Sequence, residues 1–351
     1  MDTMPQIPGD VTVGVDTHRD SHTAAVLDAQ GRLLGTAAFP TTPAGYRRLI
    51  EWAGGWGTVT AAGVEGTGSW GAGLTRHLQE TGITVIEVIR PNRQHRRRHG
   101  KSDTTDAVAA ARAVQSGEAS GTPRGGGATE SLRMLRVARN SARKAKTQVA
   151  NQIKAVVVTG PAELRQELRD RPTAELAKLV ARFRPGPDLA DPSTAAKTAL
   201  QALGRHWLFL DTQIGELTAQ IADLTTATAP PALLDEKGIG PIVAADLLIT
   251  HGTNPDRIGS AAAFASLCGS SPVDMSSGQQ LRHRLNRGGD RQANAALYRA
   301  VIVRLRYHQP TRDYMQRRLA QGKTKKEVIR CLKRSLARKV YKILRDHQPP
   351  T

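Results

Sequence analysis

The chain has 351 residues, a formal net charge of +19 and a hydrophobic fraction of 39%, with a pI of about 10.6. That length suits two or three domains, and a basic excess spread along the whole chain points to nucleic acid, ahead of anionic membrane, as the partner. The composition excludes a bilayer-spanning helix, since no run of 18 apolar residues exists. It also excludes a zinc ribbon and a disulfide framework, since Cys268 and Cys331 lie far apart without CxxC spacing. The first ten residues do not read as a signal peptide, and a cytoplasmic protein is expected.

Residues 11–16 (VTVGVD), 22–28 (HTAAVLD) and 32–39 are short β-favouring runs, the last two joined by an Ala29-Gln30-Gly31 turn; they predict a three-stranded antiparallel meander. Residues 42–53 predict a helix with Thr41 or Thr42 as N-cap. Residues 58–65 (TVTAAGVE) predict a fourth strand ending in an acid, and residues 69–80 a helix closed by Thr81-Gly82. Residues 83–89 (ITVIEVI) are almost wholly apolar and predict a strand buried on both faces. His18 and His22 flank Asp16 without a standard zinc spacing, so they read as surface or substrate-contacting residues.

Residues 90–107 (RPNRQHRRRHGKSDTTDA) run from a crowd of positive charge into two aspartates. Arg96, Arg97, Arg98 and Lys101 repel one another unless an anion sits among them, and a phosphodiester backbone is the obvious polyanion. Asp103 and Asp106, three apart at the start of an alanine-rich helix, share one helix face. They fit either a capped helix start, with Ser102 or Asp103 as N-cap, or half of a divalent-metal site.

The element order is βββ-α-β-α-β-α, the ribonuclease H-like order shared by nucleases, transposases, actin-like ATPases and sugar kinases. In that fold the first and fourth strands are neighbours, so Asp16 and Glu65 project from adjacent strand ends and the last helix brings Asp103 and Asp106 to the same edge. Four carboxylates meeting at one point need cations, and hard oxygen donors suit Mg²⁺ or Mn²⁺.

Residues 117–127 (GEASGTPRGGG) read as a linker. Leu135, Ala138, Ala142, Ala145, Val149, Gln152 and Val156 then alternate spacings of three and four, a heptad seam coated outside by Arg133, Arg136, Arg139, Arg143, Lys144 and Lys146. Broken helix over 162–184 and a Pro/Gly/Asp-rich loop lead to a second seam, Leu200, Leu203, Trp207, Leu210, Ile214, Leu217, Ile221 and Leu224. The two seams predict a coiled-coil arm that pairs either within the chain or across subunits.

After Pro230-Pro231, the run Gly238-Ile239-Gly240-Pro241 reads either as a plain tight turn or as a helix-hairpin-helix turn. In the latter, the amides of Gly238 and Gly240 approach a DNA phosphate. Residues 264–294 place Ser276-Ser277-Gly278 in a loop followed by Arg282, Arg284 and Arg287. Such a serine is a turn former, a phosphate contact or a nucleophile. Helices over 297–306, 311–321 and 325–344 carry a basic face beside an apolar stripe. The organisation expected is 1–120, an α/β domain with the acids; 121–232, the helical arm; and 233–351, an α-helical domain with the serine.

The stretches GVDTHRDSHTAAVLD, GVEGTGSW and KSDTTDA, followed by GIGP, FASLCGSSPVDMSSG and NRGGDRQAN, resemble the insertion-sequence transposases with a RuvC-like DEDD domain. That group includes the Piv-type DNA invertases and the bridge-RNA-guided recombinases. The resemblance implies Mg²⁺ bound by Asp16, Glu65, Asp103 and Asp106. It further implies Ser277 as nucleophile beside Ser276, and composite sites within a dimer or tetramer. The implied partners are donor and target DNA and, in some members, a structured noncoding guide RNA. Arg284 and Arg287 are candidates for charge stabilisation. Competing readings are a RuvC-like junction nuclease whose serine is only structural, an actin-like ATPase or sugar kinase, and a catalytically dead nucleic-acid binder.

Overall fold

The computed structural model describes residues 9–88, 102–123, 125–254, 257–274, 283–286 and 288–347. They fall into two compact units. The first runs to Gly125 and takes in Gly252–Gly259; the second comprises Gly126–His251 and Ser260 onward.

The first unit is built on one mixed sheet. Strands β1 (Asp10–Thr17), β2 (Ser21–Asp28) and β3 (Leu33–Pro40) form an antiparallel meander. Strands β4 (Thr58–Glu65) and β5 (Thr84–Val88) add in parallel, giving the order β3-β2-β1-β4-β5. Helix α1 (Pro43–Gly54) starts at Thr42, whose hydroxyl accepts from the Gly45 amide. Helix α2 (Ala72–Glu80) begins three residues later than the sequence predicts, because 66–71 form turns instead. Both pack on one face, closing a core of Val11, Val13, Val15, Leu49, Ala62, Val64, Leu74 and Leu78. Strand β5 is an edge strand with a half-exposed pattern, not one buried on both faces, because it closes the sheet among the described residues, where Gly121 bridges its free side at Glu87.

The opposite face belongs to α3 (Asp103–Gln115). Strand alternation turns Val11, Val13 and Val15 to the first face and Thr12, Gly14 and Asp16 to the second. Thr12 accepts from Gln115 Nε2 at 3.3 Å. A Cβ on Gly14 would lie 2.1 Å from the Ala107 carbonyl oxygen and 2.3 Å from the Ala111 nitrogen. On β4, a Cβ on Gly63 would lie 2.8 Å from the Ala110 carbonyl oxygen. Small residues on both sides (Gly14, Gly63, Ala107, Ala110, Ala111) therefore let the helix lie directly on the two central strands.

The second unit is helical. Its long helices α4 (Ala128–Thr159) and α7 (Pro192–Thr228) and the short α5 (Ala162–Leu168) and α6 (Thr173–Val180) between them share a core containing Val149, Ile153, Val157, Leu168, Val180, Leu200, Trp207 and Leu210. Helices α4 and α7 run antiparallel within the chain: Arg139 Nε donates to Thr218 Oγ1 at 2.6 Å, and Lys146 pairs with Asp211. The buried stripe of α4 departs from the expected heptad. Ile153 and Val157 are buried where Gln152 and Val156 were expected, and Ala138 is exposed. A straight helix of 3.6 residues per turn drifts off a 3.5-residue seam over this length.

Arg136, expected on the outside of α4, is buried. It donates to Asp246 Oδ1 from Nε at 2.8 Å, and Arg299 Nη2 reaches Asp246 Oδ2 at 2.7 Å. Burial holds the Asp246 pKa up despite both arginines. Helix α8 (Pro231–Leu234) has four residues, and the turn after it leads to α9 (Pro241–His251) and α10 (Ala261–Leu267). A two-stranded ribbon, β6 (Pro272–Asp274) and β7 (His283–Leu285), stands where the sequence predicts loop. Helices α11 (Arg291–Tyr307), α12 (Gln309–Ala320) and α13 (Lys325–Arg345) follow; α13 opens on a capping box of Thr324 and Glu327. Lys333, expected on the basic face, is buried and donates to Asn294 Oδ1 at 2.8 Å.

Candidate active site at the edge of the N-terminal sheet

Asp16 sits one residue past the last β1–β4 pair, Val15↔Val64, and so beside Glu65 at the end of β4. Thr17 Oγ1 donates to the Glu65 carbonyl oxygen at 2.8 Å and locks the two strand ends together. Because Gly14 and Gly63 face α3, the alternation turns Asp16 and Glu65 the same way. Helix α3 runs back along β1, from Asp16 towards Thr12, so its N-terminus lies at this edge. Ser102 is the N-cap, its Oγ accepting from the Thr105 amide at 3.2 Å, which leaves Asp103 free of capping duty. Asp103 and Asp106 occupy the first turn, where the helix dipole favours carboxylates. Cap and carboxylates are thus compatible features of one helix start.

The side chains differ in burial. Asp16 is 7% exposed and Asp106 5%, while Glu65 is half-buried and Asp103 exposed. Burial raises the Asp16 pKa above its ordinary value, the negative charges of Asp106 and Asp103 push in the same direction, and His18 only partly opposes them. His18 Nε2 lies 3.0 Å from Asp16 Oδ2 and 3.4 Å from Asp103 Oδ1. Among the described residues, Asp16, His18 and Asp103 form a group whose ligand-type atoms all lie within 4.8 Å of one another.

His22 corrects the surface assignment. It is fully buried with its ring stacked on Tyr46 at 5.7 Å, neither ring nitrogen has a hydrogen-bond partner, and burial lowers its pKa. It faces the apolar core and contributes to packing. His18, expected at the surface or against substrate, is partly exposed and turns its ring to Asp16 and Asp103.

The remaining expected site residues are distributed as follows. Arg96, Arg97, Arg98, Lys101, Ser276, Ser277, Arg282 and Arg287 lie outside the described residues. Arg284 is exposed on β7, paired with Val273. Gly238 is turned inward: its φ is +87°, and a Cβ there would lie 2.6 Å from the Ala300 carbonyl oxygen, so close packing on α11 already accounts for it. Gly240 is exposed, with open space around it. No helix among the described residues is long and apolar enough to cross a membrane.

Two family models match the chain. A transposase model of the DEDD, IS110 type covers residues 13–159, and a model described as transposase IS116/IS110/IS902 family covers 231–316. The first match holds all four acids, and the second holds Gly238, Gly240 and Ser277. The chain is similar to the 42 kDa protein of insertion element IS900 from Mycobacterium paratuberculosis, at 28% identity over 43% of this chain. It is also similar to two proteins from Streptomyces coelicolor. One is the 43.6 kDa protein of insertion element IS110, at 30% identity over 45% of this chain. The other is the mini-circle protein of IS117, at 25% identity over 77%. The chain spans 39% and 37% of the lengths of the first two relatives and 78% of the third.

Proposed function

We propose that this chain, which matches two models of the IS110/IS116/IS902 transposases, is a member of that family and cuts and rejoins DNA at the edge formed by β1, β4 and the start of α3. The observation that carries the reading is the buried Asp16 carboxylate facing two further carboxylates, Asp103 and Asp106, whose charges oppose its ionisation. Such a cluster fits a divalent cation, because a positive ion removes the penalty and hard oxygens are the donors Mg²⁺ or Mn²⁺ prefer. Asp16, Glu65, Asp103 and Asp106 are the residues that would hold it. A divalent ion there supplies charge neutralisation at the scissile phosphate.

The chain's own residues do the rest. The basic residues Arg96, Arg97, Arg98 and Lys101, immediately before α3, hold the DNA backbone against the edge, and Arg284 and Arg287 balance charge at the phosphate. The Ser277 hydroxyl attacks phosphorus, the bond from phosphorus to one sugar oxygen breaks, and that oxygen takes up a proton. The product is a protein–DNA phosphodiester that a second strand's hydroxyl can reverse without loss of bond energy. This role of Ser277 rests on the resemblance of the SPVDMSSG and RGGD stretches. So do the guide RNA, the dimeric or tetrameric assembly, and the supply of acids and serine by different subunits. The site of action is the cytoplasm, on the bacterial DNA itself.

The test is adduct trapping on DNA carrying the element's ends. Wild type and Asp106→Asn are compared with Ser277→Ala, under denaturing conditions that preserve a serine–phosphate bond. A covalent species in wild type that is absent from Ser277→Ala supports the serine. Full recombination by Ser277→Ala removes it and leaves a RuvC-like nuclease using the acids alone.

A further inference from the structure

We propose that His18 is a nitrogen ligand of the divalent cation at this edge, completing with Asp16 and Asp103 a mixed nitrogen–oxygen site. The proposal deepens the cation reading above and rests on it.

The geometry is the first argument. An ion with ligands at roughly 2.1 Å sets adjacent donor atoms about 3.0 Å apart and opposite ones about 4.2 Å apart. His18 Nε2 lies 3.0 Å from Asp16 Oδ2 and 3.4 Å from Asp103 Oδ1, and the three ligand atoms all fall within 4.8 Å. These spacings fit donors around a single ion, and the shortest of them is also a hydrogen-bond distance. The second argument is hydrogen-bond capacity. One ring nitrogen carries at most one proton, yet Nε2 faces two carboxylates. As N–H it can point squarely at only one of them and must share its proton with the other; as a lone pair it faces both unless a cation lies between.

The third argument is presentation. His18 follows directly on the end of β1, two positions after Asp16, and its ring reaches back to Asp16 Oδ2 at 3.0 Å. The turn that follows is pinned twice: the His18 amide donates to the Ser21 carbonyl oxygen at 3.1 Å, and Thr41 Oγ1 donates to the His18 carbonyl oxygen at 3.4 Å. The ring therefore stands on a fixed backbone over a strand end that is itself locked to β4.

A nitrogen donor changes which ion is held. Imidazole favours transition metals over magnesium, and affinity rises from Mn²⁺ onward along the first row. The site should accordingly prefer Mn²⁺ to Mg²⁺ more strongly than an all-carboxylate site does. Removing His18 should reduce Mn²⁺ affinity at least about tenfold, the range typical of lost metal-site partners, and reduce Mg²⁺ affinity by less.

Metal-free full-length protein, titrated with Mn²⁺ and followed by pulsed electron paramagnetic resonance, tests this without reference to activity. Wild type is expected to show imidazole-nitrogen hyperfine coupling to bound Mn²⁺. His18→Asn is expected to lose that coupling, and calorimetric titration to show the larger drop for Mn²⁺. Bound Mn²⁺ without nitrogen coupling in wild type, or coupling that persists in His18→Asn, overturns the ligand assignment while leaving the carboxylate site standing. Wild-type protein that takes up neither ion overturns both. The wild-type spectrum decides even if His18→Asn fails to fold.

Discussion

Adding one methyl group at Gly14 tests how the sheet and α3 together build the site. The new Cβ would lie 2.1 Å from the Ala107 carbonyl oxygen and 2.3 Å from the Ala111 nitrogen. Non-bonded heavy atoms rest at about 3.5 Å, and both obstructing atoms are backbone. The helix must therefore withdraw from β1 by about 1 Å or more. Overpacking of this kind typically costs about 1–3 kcal/mol, and Gly14→Ala belongs at the upper end because no side chain can rotate away. Asp103 and Asp106 precede the contact by a single turn, so they move with it. A misplacement of about 1 Å can lower a reaction rate about a hundredfold. At Gly63 the nearest atom is a Val114 methyl at 2.6 Å, which can turn aside, and the Ala110 carbonyl oxygen at 2.8 Å leaves the helix less to yield than the 2.1 Å and 2.3 Å backbone contacts at Gly14, so Gly63→Ala should cost less. At Gly54 nothing lies within 4 Å, and Gly54→Ala should be neutral or slightly stabilising. Urea-unfolding midpoints and DNA-nicking rates of the three variants should both follow that order. A Gly14→Ala protein with the midpoint of Gly54→Ala and wild-type nicking would refute the close approach of α3 as the device that positions the acids.

Two further consequences concern charge. Burial and its neighbours raise the Asp16 pKa in the folded protein, so the folded state holds that proton more tightly than the unfolded one. Its contribution is favourable at low pH and is lost as pH climbs through the raised pKa. In EDTA at neutral pH, Asp16→Asn should melt above wild type, whereas added Mg²⁺ or Mn²⁺ should raise the wild-type melting temperature and not that of the variant; a lower melting temperature for Asp16→Asn in EDTA would count against this. In the second unit, Asp246→Ala strands the buried Arg136 guanidinium, with Asn140 Oδ1 at 3.4 Å as its further side-chain partner among the described residues. Urea unfolding should register a loss of about 3–5 kcal/mol, much of it recovered by the apolar pair Asp246→Leu with Arg136→Met; a loss under about 1 kcal/mol would argue against the buried network.

The first unit was legible because its signals are local. Three of the five strand runs end in an acid, at Asp16, Asp28 and Glu65, and the element order alone places Asp16 beside Glu65. Thr42 and Ser102 announce their helices through the hydroxyls that cap them. The features that stayed hidden depend on partners distant in sequence. Arg136 looks like any outward arginine until Asp246, more than a hundred residues later, is found beneath it. Lys333 belongs to a basic stripe by spacing, yet its amine is drawn inward by Asn294. Ile153 and Val157 replace the expected seam because heptad counting assumes a 3.5-residue turn. The β6–β7 ribbon has three residues per strand, too short for periodicity to register. His22 was misjudged because nothing local distinguishes a histidine that stacks on Tyr46 from one in solvent. His18 was visible two positions from Asp16, and element order brings Asp103 to the same edge, but the approach of its ring to both carboxylates is a matter of side-chain geometry that element order does not give.

The central claim is that Asp16, Glu65, Asp103 and Asp106 form one DNA-cutting site. The most direct measurement is the cleavage rate, on DNA bearing the element's ends and with Mg²⁺ present, of Asp16→Asn, Glu65→Gln, Asp103→Asn and Asp106→Asn, each checked for folding and DNA binding. Each amide is expected to bind DNA as wild type does and to cut it at least about a hundredfold more slowly, in line with the loss of a positioned charged group at a reacting centre. A folded, DNA-binding Asp16→Asn or Asp106→Asn protein that cuts at the wild-type rate would contradict the account.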